Sequence, residues 1–119
     1  MEIIKQPESS ALCGQCVVAM LTDQPLAVIV EALGEGRTWP RDLRKALFAH
    51  GRIMAKRSRQ FTPDAANYQA AVFIEQGIHR HWVAWDGTHW FDSNKGEVLD
   101  HEQFGAKYPD AVVKLYYVV

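Results

Sequence analysis

Cysteine is scarce in this 119-residue chain: there are two, Cys13 and Cys16. That excludes a disulfide-stapled miniprotein, and a bridge between two cysteines this close would close too short a loop to stabilise much. Neither sign of charge is in excess, with 13 Lys+Arg against 14 Asp+Glu and a net charge of -1. Such a balance argues against a nucleic-acid partner. No apolar run approaches the roughly 20 residues of a membrane helix. The opening MEIIKQPESS lacks a basic stretch followed by an apolar one, so no secretory signal is read. There are no repeats and no low-complexity tracts, which excludes solenoids and disordered arrays. The short basic run Lys56-Arg57-Ser58-Arg59 reads as a solvated strand end. What is present, 48% hydrophobic and 23% charged residues, is the composition of one globular domain. A single domain over 1–119 is expected, soluble and cytoplasmic, in a reducing compartment.

The first half has helical periodicity. Cys13, Cys16, Val17, Met20 and Leu21 form one apolar stripe, with Ser9 and Ser10 placed to cap it. Asp23 or Gln24 opens a second helix through Leu26, Ile29, Val30 and Leu33, ended by Gly34 and Gly36. Thr38-Trp39-Pro40 starts a third, whose apolar face is Leu43, Leu47 and Phe48 and whose stop is Gly51. The second half reads as strands. Arg52–Arg57 is a short candidate, and Ala70–Glu75 is apolar throughout, as in a strand buried on both faces. His81–Asp86 and Thr88–Asp92 flank the hairpin signal Asp86-Gly87. Asp100 caps a short helix, and Ala111–Val119 is a final strand. Helices followed by an antiparallel sheet make an α+β domain.

Cys13 lies where the first helix begins, and free N–H groups and the positive dipole end favour a thiolate there. Gly14 adds no bulk against an approaching substrate. Cys16, one turn on, belongs to the apolar stripe and behaves as a small hydrophobe. With Asp86-Gly87 as the two central turn residues, His81 falls opposite Asp92. A carboxylate at one ring nitrogen fixes the imidazole tautomer and leaves the other nitrogen for a thiol proton. A turn centred on Gly87-Thr88 instead sets Asn94 opposite His81, and Asn also orients imidazoles in cysteine enzymes. His79 shares the face of His81 and competes with it for the role of base, while His50, His89 and His101 read as surface or structural.

Cys13-Gly14-Gln15-Cys16-Val17-Val18-Ala19-Met20-Leu21 resembles the nucleophile helix of small papain-like cysteine peptidases. The nearest pattern is that of the bacteriocin-processing (double-glycine leader) peptidases and their soluble relatives. Gln6, Cys13-Gly14, Ala19-Met20, His81-Trp82-Val83-Ala84-Trp85 and Phe91-Asp92 follow that pattern in order, and Ala71-Val72-Phe73-Ile74 resembles the strand before its histidine. Leu12 departs from it, since many members carry Asp there. The larger papain pattern, in which the second cysteine attacks, also fits Cys13–Cys16, but Ala19-Met20 align when Cys13 is the nucleophile.

The resemblance implies a papain-like α+β fold, N-terminal helices on a C-terminal antiparallel sheet, and a thiol hydrolase of peptides or proteins without a cofactor. It implies Cys13 as nucleophile, His81 as base and then acid, Asp92 as its orienting partner, and Gln6 in the oxyanion hole. Gly14, Trp82 and His79 are expected beside the substrate. Other readings compete. Cys13, Cys16, His79 and His81 make a possible zinc set. Cys13–Cys16 has the spacing of a thiol–disulfide module. The same triad serves a deamidase or acyltransferase, and Trp82, Trp85 and Trp90 suit a non-catalytic peptide groove.

Overall fold

The computed structural model describes residues 1–62 and 65–119. Three helices come first: α1 (Cys13–Thr22), α2 (Leu26–Leu33) and α3 (Pro40–Ala49). After a 3-10 turn at Ala65–Asn67 come β1 (Ala70–Gln76), β2 (His79–Trp85), β3 (Trp90–Asp92), β4 (Glu97–Leu99), α4 (His101–Lys107) and β5 (Val112–Val118). The strands form one antiparallel sheet in the order β4-β3-β2-β1-β5. The fold is therefore α+β. Among the described residues, no helix is long and apolar enough to cross a membrane.

Strand alternation explains why β1 over 70–74 and β2 over 82–85 are apolar at every position. Ala71, Trp82, Ala84, Phe91 and Tyr117 face a core shared with α1–α3. Their neighbours Ala70, Val72, Val83, Trp85, Trp90 and Tyr116 face a second core with Phe104 of α4. Both faces of these stretches are thus dry, so neither shows a polar alternation, while the polar end of β2, His79 to His81, lies outside the two cores. Trp82, Trp85 and Trp90 are 2%, 4% and 1% exposed, so all three are core side chains. Burial of α1 goes beyond the expected stripe: every residue from Gly14 to Leu21 is buried, as in a helix enclosed on all sides.

Several boundaries differ from the sequence expectation for local reasons. Ser9 and Ser10 do not cap α1; Leu12 holds that position without a side-chain bond. Asp23 does not open α2; it closes α1 in the left-handed region (φ 54°), and Pro25 precedes α2. Phe48 is 72% exposed, because the buried face of α3 is Leu43, Ala46 and Leu47, and the next position turns outward. Arg52–Arg57 is not a strand. Its neighbourhood bonds sparsely to the outer edge of β5, through Ala55 N to Val118 O and Arg59 N to Tyr116 O.

The hairpin between β2 and β3 is also looser than a two-residue turn. The Asp86 carboxylate accepts from Thr88 N, Thr88 Oγ1 and His89 N, while Asp86 N donates to His89 O. This draws Thr88 and His89 into the loop, so Trp85 pairs with Trp90 and Ala84 with Phe91. That is the Gly87-Thr88 register, and its continuation sets Asn94 opposite His81. Asp92 becomes a diagonal neighbour of His81 on the same face.

Candidate active site

The start of α1 meets the unpaired half of β2. β2 is bonded to β1 along its whole length, but to β3 only at Ala84 and Trp85. Ser93, just past β3, bonds to the N-terminal segment instead: Gln6 N donates to Ser93 O, and Ser93 Oγ donates to Gln6 Oε1. His81 therefore lies where β2 is free of β3. Cys13, Gln6 and His81 line one cleft of about 320 Å³.

The electrostatics are set by hydrogen bonds acting against burial. Burial disfavours a charged Cys13. Hydrogen bonds with His81 and with the backbone of Trp82 and Gly14, together with the His81 charge, outweigh it and hold the thiol below its ordinary value. Burial also works against a charged His81, yet its bonds to Asp92 and Cys13 hold its pKa up at about 9. His81 Nε2 donates to Asp92 Oδ1 at 2.7 Å, which leaves Nδ1 for the thiol. Each group thus favours the charged form of the other: the imidazolium lowers the thiol, and the thiolate raises the imidazole. Cys16 differs in kind: it is 0% exposed, and burial pushes its thiol up to about 11. Its place in the apolar stripe is as expected.

Asp92 is 0% exposed and carries the densest bonding in the site. Oδ1 accepts from His81 and from Asn94 N at 3.0 Å. Oδ2 accepts from Lys107 Nζ at 2.6 Å and from the Tyr108 hydroxyl. Lys107 also donates to Glu97 Oε1 at 2.7 Å. Burial alone raises a carboxyl pKa, but His81, Lys107 and Tyr108 hold this one far below the usual range. Sequence reading missed Lys107 and Tyr108. A lysine in the last turn of α4 reads as ordinary dipole complementation, and nothing in its spacing points at Asp92.

No protein-family model matches the chain, and no curated protein matches it. Among the described residues, no group of three or more His, Cys, Asp or Glu side chains is arranged to hold a metal ion. Both cysteines are free thiols.

Other expected residues fall on either side of the cleft. Trp82 lines it while remaining core. His79 is exposed at the start of β2 opposite Gln76 and is not among the lining residues; its neighbour Arg80 is. Gly14 is buried, and its missing side chain serves packing rather than substrate approach. A Cβ there would sit 1.9 Å from Thr38 Oγ1 and 3.2 Å from Leu43 Cδ1. Gly14→Ala is expected to cost about 1–3 kcal/mol through overpacking, measured by urea unfolding. Unchanged stability would show that Thr38 yields freely.

Gln15 was also missed. It is fully buried, and its Nε2 donates to Gly34 O at 2.9 Å and Gly36 O at 2.8 Å. It pins the loop that leads into α3 against the start of α1. A glutamine beside a cysteine in an apolar helix carries no sequence signal for that role.

Proposed function

We propose that this chain is a cysteine-dependent amide hydrolase of papain-like architecture, acting on a peptide or protein. The observation that carries the reading is the Cys13–His81–Asp92 relay: a thiol held below its ordinary pKa by a histidine that a buried carboxylate orients. The resemblance to small double-glycine leader peptidases supports it, as does the order of helices before sheet.

In this reading the Cys13 thiolate attacks the amide carbon, and the carbonyl oxygen becomes an oxyanion. α1 begins without a side-chain cap, so the backbone N–H of Cys13 is available to that oxyanion. Gln6 is the second donor. Its Nε2 carries two protons, which go to Ser10 O at 3.1 Å and to Ser10 Oγ at 3.4 Å; the bond from Ser93 fixes the amide's orientation, and the oxyanion takes the place of the longer contact. Imidazolium His81 gives its proton to the leaving amine as the C–N bond breaks, leaving a thioester on Cys13. Neutral His81 then takes a proton from water, whose oxygen attacks the thioester; the acid product leaves and the thiolate–imidazolium pair is restored. Asp92 stays ionised throughout.

Incubation with a mixed peptide library, followed by mass spectrometry, tests this. New termini are expected with the parent protein and none with Cys13→Ala; cleavage by both or by neither sinks the reading. The pH dependence has a defined alkaline limb. Acylation needs the imidazolium, so the rate is expected to fall as pH rises through about 9. A rate still climbing above that pH would show that His81 is not the acid.

A further inference from the structure

We propose that the cleft takes a substrate carrying a carboxylate close to the amide presented to Cys13, and that Arg37 recognises it. The inference rests on the reading of Cys13 as a nucleophile and names the class of substrate.

The cleft is lined by Arg37, Arg80 and His81 and by no Asp or Glu. The chain holds 14 acidic residues, so scarcity does not explain their absence from this surface. The three positive groups are not equivalent. The His81 charge is matched by the Cys13 thiolate and Asp92. Arg80 is paired with Glu75 at 3.2 Å. Among the described residues, no carboxylate pairs with Arg37. The surplus positive charge of the cleft therefore resides on Arg37.

Although Arg37 is exposed, its backbone is held on both sides. Gln15 bonds to Gly36 O just before it, and Thr38 just after it packs where Gly14 lacks a side chain. The guanidinium is thus carried by a fixed loop. Trp39, Phe73 and Leu115 give the same cleft apolar walls, which weaken solvent screening of a charge beside them. A planar guanidinium matches a carboxylate through two parallel N–H bonds. That carboxylate has two sources, an Asp or Glu side chain or a free C-terminus.

The test compares iodoacetate with iodoacetamide, near-isosteric alkylating agents that differ in charge. The ratio of their rates at Cys13 is expected to drop about fivefold in Arg37→Gln and to stay within about twofold in Arg37→Lys. The drop should shrink in about 1 M salt. Taking the ratio removes any general change in thiol reactivity. Three competitors then identify the source by slowing iodoacetamide labelling: acetyl-Gly-Glu-Gly-amide, its Gln counterpart, and acetyl-Gly-Gly-Gly with a free carboxylate. Protection by the Glu peptide assigns a side chain, and protection by the free acid assigns a C-terminus. Equal protection by the Gln peptide, or protection by none, overturns the proposal. A fast Cys13 whose ratio ignores Arg37→Gln sinks the carboxylate alone. A Cys13 no faster than an ordinary thiol sinks the nucleophile reading beneath it.

Discussion

For the proposed hydrolase, His81→Ala is expected to lower amide hydrolysis by about 10⁴-fold and to slow iodoacetamide labelling of Cys13 at about pH 6 by at least tenfold. The two readouts have different causes. Labelling depends on the thiolate. Without His81 the thiol keeps the backbone bonds from Trp82 and Gly14, but burial then opposes the charge with little to offset it. At the unshifted value of 9.0 a thiol is only about 0.1% ionised near pH 6. A thiolate of lower pKa is individually less reactive, with a Brønsted slope of about 0.4–0.5, so labelling falls less than ionisation does. Hydrolysis is expected to fall further, because in the proposed mechanism the leaving amine also loses its proton donor. Cys16 is the internal control: it is fully buried with its thiol raised, and is expected to label slowly in both proteins. Equal Cys13 labelling in His81→Ala and the parent would dissolve the pair.

The places of the two cysteines on α1 were legible in the sequence because they depend on local spacing. A cysteine at the first helical position and another one turn later fall at the mouth and in the buried stripe by helical geometry alone. The apolar run of β1 and the Asp100 cap were legible for the same reason: each is decided within a few residues. Asp100 does accept from Gln103 N. The register of β2 against β3 was not so decided. It turned on which atoms the Asp86 carboxylate binds, and three donors from Thr88 and His89 moved the turn by one residue. His81 and Asp92 still meet, because the diagonal neighbour lies on the same face. Gly14 read as an open approach, whereas its contacts are with Thr38 and Leu43 across more than 20 residues of chain. Lys107, Tyr108 and Arg37 belong to the same class. Their partners and their cleft are assembled only when α4 and the loop before α3 dock on the sheet.

The second large effect follows from the bonding of Asp92. All four groups around this carboxylate are donors: His81 Nε2–H, Asn94 N–H, the Lys107 ammonium and the Tyr108 hydroxyl. An asparagine orients imidazoles elsewhere in cysteine enzymes, but here Asn94 N–H and the Lys107 ammonium can only donate, and the Tyr108 hydroxyl would have to turn round to accept from its amide nitrogen. Turned toward His81 and Asn94, it opposes two N–H groups and forces the wrong imidazole tautomer. Turned toward Lys107, it opposes an ammonium that is 22% exposed and loses half of its carboxylate pairing. Asp92→Asn is therefore expected to cost about 3–5 kcal/mol in urea unfolding and to lower hydrolysis by about 10²–10⁴. It also changes the acid limb of stability. The folded-state pKa of Asp92 is depressed, so its contribution is present above the unfolded value near 4 and is lost as pH falls below it. That portion of acid destabilisation disappears in Asp92→Asn. Tyr108→Phe is the milder companion, since it removes one donor and leaves the ammonium in place, at a cost of about 1–3 kcal/mol. If Asp92→Asn unfolds at the parent's urea midpoint and still labels rapidly at Cys13, the carboxylate is not what holds His81. The imidazole would then be positioned by β1 and by Cys13 itself.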